Sequence, residues 1–341
     1  MVIGAITPSQ VAGGTPRPDL FRVAPDDPEY VRVAAAEAAF WSRPQPFGMD
    51  AWWDREPTGP VERYTNERFT GDPAVRWNET IPRYGTFRRG LVLGASALTL
   101  EASLLEQNPD AQLTFVDLTE ATLERRRQEL GTRFPARVAT WVADLNFIAL
   151  PPDTFDLVVS CASIHHVTNL EHLAYQIDRT LTPDGYFFLQ DYVAEPRFQF
   201  SPARRRLFEI LNDREMARQH GRGPGLLWMD ASDTSPLCGV RAPDILGVFA
   251  AQLTVVDVRT AGALTLPLVR VRPADGLNPQ TIPRWKQLLR AIGRLRATRA
   301  TDFQPRRFLH ELFVVGDVAS DAGVINPGNA FGIYRKGGRP S

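Results

Sequence analysis

LVLGASALTLEASLLEQNPDAQLTFVD, residues 91–117, holds two short apolar runs, LVLG (91–94) and LTFVD (113–117), separated by a helix-prone stretch from Leu98 to Gln107. Strand, helix and strand in that order form a crossover unit, and crossover units join parallel strands. The rhythm continues toward the carboxyl terminus. Thr119 is an N-cap candidate for a helix carrying Leu123 and Leu130 at helical spacing. ARVATWVAD (136–144) and FDLVVSC (155–161) read as strands, Asn169–Leu181 as a helix, Pro183–Gly185 as its turn and YFFLQDYV (186–193) as a fifth strand. Continuous apolar strands alternating with helices imply a parallel sheet buried on both faces.

The flanks are less regular. Residues 1–20, rich in Gly, Pro, Thr and Ser, read as a mobile tail. Helical patterns cover Glu29–Trp41 and Pro60–Phe69. Beyond the fifth strand come a basic amphipathic helix (Pro202–Gln219), a Gly/Pro-rich loop (220–236), a strand (LTVVDV, 253–258), a helix (Pro283–Thr298) and a last strand (FGIYRK, 331–336). The expected division is an N-terminal tail and helical cap (1–85), a nucleotide-binding core (86–194), a lid or substrate segment (195–252) and a C-terminal completion of the core with a helical insertion (253–341).

Composition excludes several classes. Lys+Arg and Asp+Glu are both 39 in 341 residues, so no net positive charge draws the chain to nucleic acid. No apolar run approaches the ~20 residues of a spanning helix. The amino terminus lacks the basic region of a secretory signal, so a soluble, cytoplasmic protein is expected. The two cysteines, Cys161 and Cys238, are too few for a disulfide framework or a four-ligand zinc site; both read as free thiols and no metal is expected.

In a doubly wound fold, ligands bind at the carboxyl ends of the strands. The turn after the first strand, Gly94-Ala95-Ser96, leads into a helix amino terminus, where backbone N–H groups can face a ligand. Asp117 closes the second strand about twenty positions later, an offset suited to ribose hydroxyls. Asp144 closes the third and can receive an adenine amino group. His165 and His166 follow the fourth strand, and histidine is the side chain best matched to proton transfer near neutral pH. Asp191 and Tyr192 end the fifth. Arg197 and the triplet Arg204–Arg206 can hold an anionic group, although solvated faces suit most of the triplet.

LVLGAS, FVDLTEATLERRR, WVADLNFIALPPDTFDLVVSCASIHHV and LTPDGYFFLQDYV, in this order, resemble the class I S-adenosylmethionine-dependent methyltransferases. DYVAEPRFQF (191–200) is similar to a phrase of bacterial small-molecule members. The resemblance implies an α/β, Rossmann-like, doubly wound and mostly parallel seven-stranded sheet, with helical N-terminal and lid elements. It also implies S-adenosylmethionine as cofactor, held by Gly94, Ala95, Ser96, Asp117, Leu118, Asp144, Leu145 and Ser160. His165, His166 and Asp191 become the catalytic candidates; Tyr192, Arg197 and Trp228 become the substrate-binding ones, while Trp52 and Trp53 read as core packing, with closure of the pocket from the amino-terminal side as the alternative. The first loop departs from the family pattern: Ser96 and Leu98 stand where glycines are usual, and Val92 where an acid is. Two enzymatic readings follow, beside a third in which the chain is a non-catalytic partner that supports another enzyme through its basic helices. One is methyl transfer to a small molecule of bacterial secondary metabolism, free or tethered to a carrier protein. The other is a retired methyltransferase fold that catalyses a cofactor-independent cyclisation. A homodimer fits either; the basic face of the 283–298 helix reads as a solvated arginine face, with docking of an acidic carrier or a membrane surface as the alternative.

Overall fold

The computed structural model describes residues 14–42, 59–95, 98–220, 226–228, 235–269, 271–273 and 305–337. Ser96, Trp52, Trp53 and the helix expected over 283–298, with its docking surface, lie outside the described residues.

Two helices precede the sheet. Helix α1 (Pro28–Trp41) starts where the Asp27 side chain accepts the Glu29 and Tyr30 N–H groups, with Pro28 in the first turn. Helix α2 (Pro60–Thr70) stops at Gly71, which adopts φ 81°. The core then runs β1 (Arg89–Leu93), α3 (Leu98–Gln107), β2 (Gln112–Asp117), α4 (Glu120–Arg133), β3 (Val138–Val142), β4 (Phe155–Cys161), α5 (Leu170–Thr180) and β5 (Leu181–Tyr192). It continues with α6 (Pro202–His220), β6 (Leu226–Trp228), α7 (Ile245–Gln252), β7 (Thr254–Ala261), β8 (Val271–Pro273), α8 (Pro305–Asp321) and β9 (Asn329–Arg335).

Seven strands form one sheet in the order β3-β2-β1-β4-β5-β9-β7. Strand β1 pairs in parallel with β2 on one side and β4 on the other, so the chain changes direction across the sheet at β1. That reversal opens a crevice at the carboxyl ends of β1 and β4. Only β9 runs against its neighbours, pairing antiparallel with both β5 and β7.

Alternation sorts the strand side chains onto two buried faces. Leu91, Leu93, Val158, Phe187 and Leu189 pack toward α5 and α7, against Leu173, Ile177 and Phe249. Val92, Phe115, Val159 and Phe188 pack the other way, against Leu104, Leu123 and Phe69. Burial of both faces is why these strands read as unbroken apolar runs.

Some expectations are corrected. The tail ends earlier than expected: the Thr15 carbonyl accepts from Gln176 Nε2, and Pro18–Leu20 forms a 3-10 turn. Residues Pro183–Gly185 lie within β5, whose pairing with β4 is irregular between Phe155 and Leu157. The loop over 220–236 contains β6, which pairs with β8 as a separate ribbon. Arg204 is wholly buried, its guanidinium shared among Glu195 and the carbonyl oxygens of Ala263 and Asn326. It holds α6 to the sheet edge and has no free face for a substrate anion.

Two outcomes test this packing. Arg204→Ala leaves Glu195 and two carbonyl groups without their cation, so urea unfolding should show a loss of about 3–5 kcal/mol. Glu171 pairs with Arg241 and Arg22; Arg241 chiefly, against the cost of burial, holds its carboxyl down at about 2. A depressed folded pKa stabilises above the ordinary value of 4.5. The stability gap between the native chain and Glu171→Gln should therefore be full above about pH 4.5 and vanish as the pH falls through about 2.

Candidate functional site

Gly94, Asp117, Asp144 and His165 follow or close four neighbouring parallel strands, so the sheet register brings them to one edge. Gly94 takes φ 80°, and a Cβ there would sit 2.1 Å from Ser163 Oγ. The first loop therefore lies directly against the turn after β4, and only glycine fits the contact. Beyond it, the Ala95 N–H donates to Asp117 Oδ2 at 3.0 Å, and Arg126 from α4 reaches the Ala95 carbonyl at 3.2 Å while pairing with buried Glu101. These contacts fix the turn at its base, where the usual glycines are missing. Leu98 is the first residue of α3.

Each edge aspartate is engaged but retains acceptor capacity. Asp117 Oδ1 accepts from the Thr119 N–H and hydroxyl, and Oδ2 from Ala95. Asp144 Oδ1 accepts from the Asn146 N–H and Nδ2, and Oδ2 from the Tyr30 hydroxyl at 2.5 Å. An ionised carboxylate offers about four acceptor positions. One remains on each residue, and both side chains are partly open at the edge. Asp117 thus suits a ribose hydroxyl and Asp144 an adenine amino group, so the residues present fit an adenosyl cofactor. Leu118 and Leu145 flank them, half-buried, and Ala95 is fully enclosed. Ser160 lies inside the sheet with its hydroxyl on the Leu93 carbonyl at 3.3 Å.

The turn after β4 is built around Asp191 at the end of β5. Asp191 is 0% exposed, and its Oδ2 accepts from the backbone N–H groups of Ser163, Ile164 and His165. Its Oδ1 accepts from Tyr192 N and, at 2.5 Å, from His165 Nδ1. A carboxylate occupied by donors requires the proton of neutral His165 on Nδ1, which leaves the lone pair on Nε2. His166 stacks obliquely on His165 with ring centroids 4.1 Å apart. Its Nδ1 donates to Glu37 Oε1 at 2.8 Å.

Glu37 comes from α1 and is buried, and the sequence reading did not single it out. Besides His166 it accepts from Trp41 Nε1, the Ser235 hydroxyl and the Leu237 N–H. Burial alone would raise its pKa, but His166, with the Leu237 N–H and the Ser235 hydroxyl, holds it below the usual carboxylate range. His166 moves the opposite way. Burial and neighbouring His165 depress it, and the hydrogen bonds with Cys238 and Glu37 outweigh them, so its pKa is raised. The one sequence signal for Glu37 is a lone carboxylate within AAAEAAFW (34–41).

A second polar chain holds the cap down. Asn146 Nδ2 donates to the Tyr30 hydroxyl and Asp144, and Asn146 Oδ1 accepts from Thr168 and Asn169 N–H. Asn169 Oδ1 in turn accepts from the Arg22 and Val23 N–H groups. Burial raises the Tyr30 hydroxyl pKa, and adjacent Asp144 adds to it, so Tyr30 stays a donor.

The substrate candidates separate. Tyr192 is buried, stacked on Phe198, with its hydroxyl donating to the Glu195 carbonyl. Arg197 is exposed at φ 53° and meets Gly239 through its backbone, N–H to carbonyl at 2.9 Å. Trp228 closes β6. Burial pushes the Cys161 thiol up to about 12, with Asp191 and Glu101 reinforcing it, and the thiol donates to Gln190 Oε1. It is chemically quiet.

Residues 91–187 match the family model described as a methyltransferase domain. A malonyl-acyl-carrier-protein O-methyltransferase of Geobacter sulfurreducens is 34% identical over 99 residues, 29% of this chain and 36% of that protein. The ubiquinone/menaquinone biosynthesis C-methyltransferase UbiE of Methylobacterium nodulans is 26% identical over 119 residues, 35% of this chain and 46% of its own. A solved geranyl diphosphate C-methyltransferase from Streptomyces coelicolor A3(2) aligns with 92% of this chain and 100% of its own at 14% identity and a TM-score of 0.49. The chain spans less than half the length of the curated relatives it matches. Residues 91–187, which carry the edge residues after β1 to β4, are thus similar to a methyltransferase domain, and they lie in the parallel part of the sheet described above.

The His165 assignment is open to direct test. In 15N NMR at pH 8, His165 should show a protonated Nδ1 and an unprotonated Nε2. Asp191→Asn, which keeps one acceptor oxygen and loses the charge, should mix the tautomers and cost about 1–3 kcal/mol in stability. An Nε2-protonated ring in the native chain would overturn the assignment.

Proposed function

We propose that the chain transfers a methyl group from S-adenosylmethionine to a small-molecule acceptor. The observation that carries this reading is the pair of edge carboxylates, Asp117 and Asp144, each with one acceptor position left. They lie beside a first turn that packs tightly enough to bring the two tips together. When bound, the cofactor supplies an electrophilic methyl on a sulfonium. The chain's own residues align, enclose and accept a proton. Alignment falls to Asp117 and Asp144 at the nucleoside end and to the Gly94–Ala95 backbone at the other. Enclosure falls to α1 and the 235–240 segment, drawn over the edge by Glu37 and Tyr30. His165, with its Nδ1 on Asp191, keeps Nε2 for an acceptor losing a proton.

A small acceptor is favoured by zero net charge, which offers no field for a polyanion, and by the cap, which covers the edge. Among the described residues no helix is long and apolar enough to cross a membrane. The name of the Geobacter relative specifies a carrier-tethered acid for that protein. For this chain we propose an acceptor of bacterial secondary metabolism, free or carrier-tethered.

Calorimetry on the purified chain tests the reading. S-adenosylmethionine should bind, and Asp117→Ala or Asp144→Ala should each weaken it by about 1–3 kcal/mol, roughly 5- to 150-fold. No heat at millimolar cofactor would remove methyl transfer. That outcome is the one cofactor-independent cyclisation requires.

A further inference from the structure

Three side chains that are far apart in the sequence converge under the cap. The ligand-capable atoms of His165, His166 and Cys238 all lie within 4.8 Å of one another. His165 and Cys238 are 7% exposed, and His166 is largely enclosed beneath Trp41, whose ring lies 5.5 Å from it. Both imidazoles are held from behind by carboxylates: His165 Nδ1 by Asp191 at 2.5 Å and His166 Nδ1 by Glu37 at 2.8 Å. With each Nδ1 engaged, Nε2 is the nitrogen of each ring left for a ligand role beside the Cys238 thiol.

We propose that His165 Nε2, His166 Nε2 and Cys238 Sγ bind a zinc ion, with Asp191 and Glu37 as its outer carboxylates. Donor chemistry, the carboxylates behind both rings and the ligand spacing support it. Two imidazoles and a thiolate form a borderline-soft set that selects zinc over magnesium or calcium. Metal-bound histidine typically gives its other N–H to a carboxylate, and here both rings do. Zinc–nitrogen and zinc–sulfur bonds of about 2.0–2.3 Å place tetrahedral ligand atoms about 3.3–3.6 Å apart, a small side-chain adjustment from the observed spacing. Finally, Asp191 and Glu37 are buried carboxylates whose ion partners among the described residues are these same histidines. A dication held by both rings balances the charge of these two buried carboxylates.

Binding releases the thiol proton of Cys238 to solvent, forms a zinc–sulfur bond and changes no oxidation state. Three protein ligands leave the fourth tetrahedral position open, the arrangement of catalytic zinc. An acceptor hydroxyl there would be acidified by the metal, so the lone pair of His165 would serve through the ion. That use rests on the methyl-transfer reading; the ion's binding does not.

This proposal departs from the sequence expectation of no metal. The sequence places Cys238 more than seventy positions after His165. A three-ligand set at that spacing has no local signature.

The test uses the full chain without cofactor. After chelator treatment it is titrated with cobalt(II), then with zinc, and zinc content is measured by mass spectrometry. One ion per chain is expected, with a thiolate-to-cobalt charge-transfer band in the near ultraviolet that zinc abolishes. Cys238→Ser should eliminate the band, whereas Cys161→Ser should leave it. Glu37→Gln should keep the band and weaken zinc about 10- to 100-fold. Circular dichroism on each variant separates misfolding from ligand loss, and the native chain's band alone decides if a variant does not fold. A native chain that takes no cobalt, or a band that depends on Cys161, overturns the proposal. Because S-adenosylmethionine is absent throughout, neither result bears on cofactor binding.

Discussion

Five hydrogen bonds converge on the carboxylate of Asp191, from the N–H groups of Ser163, Ile164, His165 and Tyr192 and from the His165 ring. A buried carboxylate is tolerable only when its acceptor positions are filled and a partner balances its charge. Filling them bends the chain after β4 into the tight turn that carries Ser163 against Gly94 and aims both histidines under the cap. The side chain at the end of β5 thus sets the shape of two loops from other strands. Remove its charge and the first turn loses its abutment, His165 its tautomer and His166 its stacking partner.

The cap obeys the same rule in reverse. Helix α1 brings two polar groups, Tyr30 and Glu37, into a place an amphipathic helix would ordinarily fill with hydrocarbon. Tyr30 finds Asp144, and Glu37 finds His166, Ser235 and Leu237. Neither contact contributes much beyond about 1 kcal/mol net, but leaving one unmade costs more than making it contributes. Such asymmetry specifies position: the cap has one seating in which these groups are satisfied, and that seating covers the strand tips where an adenosyl group and an acceptor would meet.

The core was legible because its signals are local. β1 to β5 each follow from a run of apolar residues, and Gly94, Asp117, Asp144 and His165 end strands whose parallel pairing leaves their tips on one edge. The degraded first loop was also visible, in Ser96 and Leu98. What the loop leans on was not, since Ser163, Arg126 and the Ala95–Asp117 bond come from other elements. Arg204 shows the limit clearly. Within Arg204-Arg205-Arg206 the three residues look alike, and only the face that α6 turns toward Glu195 makes the first a buried strut.

Sequence by itself determined the layered α/β architecture, the order of the motifs and the two edge carboxylates, because strand periodicity and strand ends are properties of neighbouring residues. Tertiary structure alone decided that β9 inserts antiparallel between β5 and β7, and that Glu37 and Cys238 meet the histidine pair. Those contacts join positions 68 or more residues apart. Their energy comes from satisfying buried polar groups, a condition that exists only once the chain has closed around them.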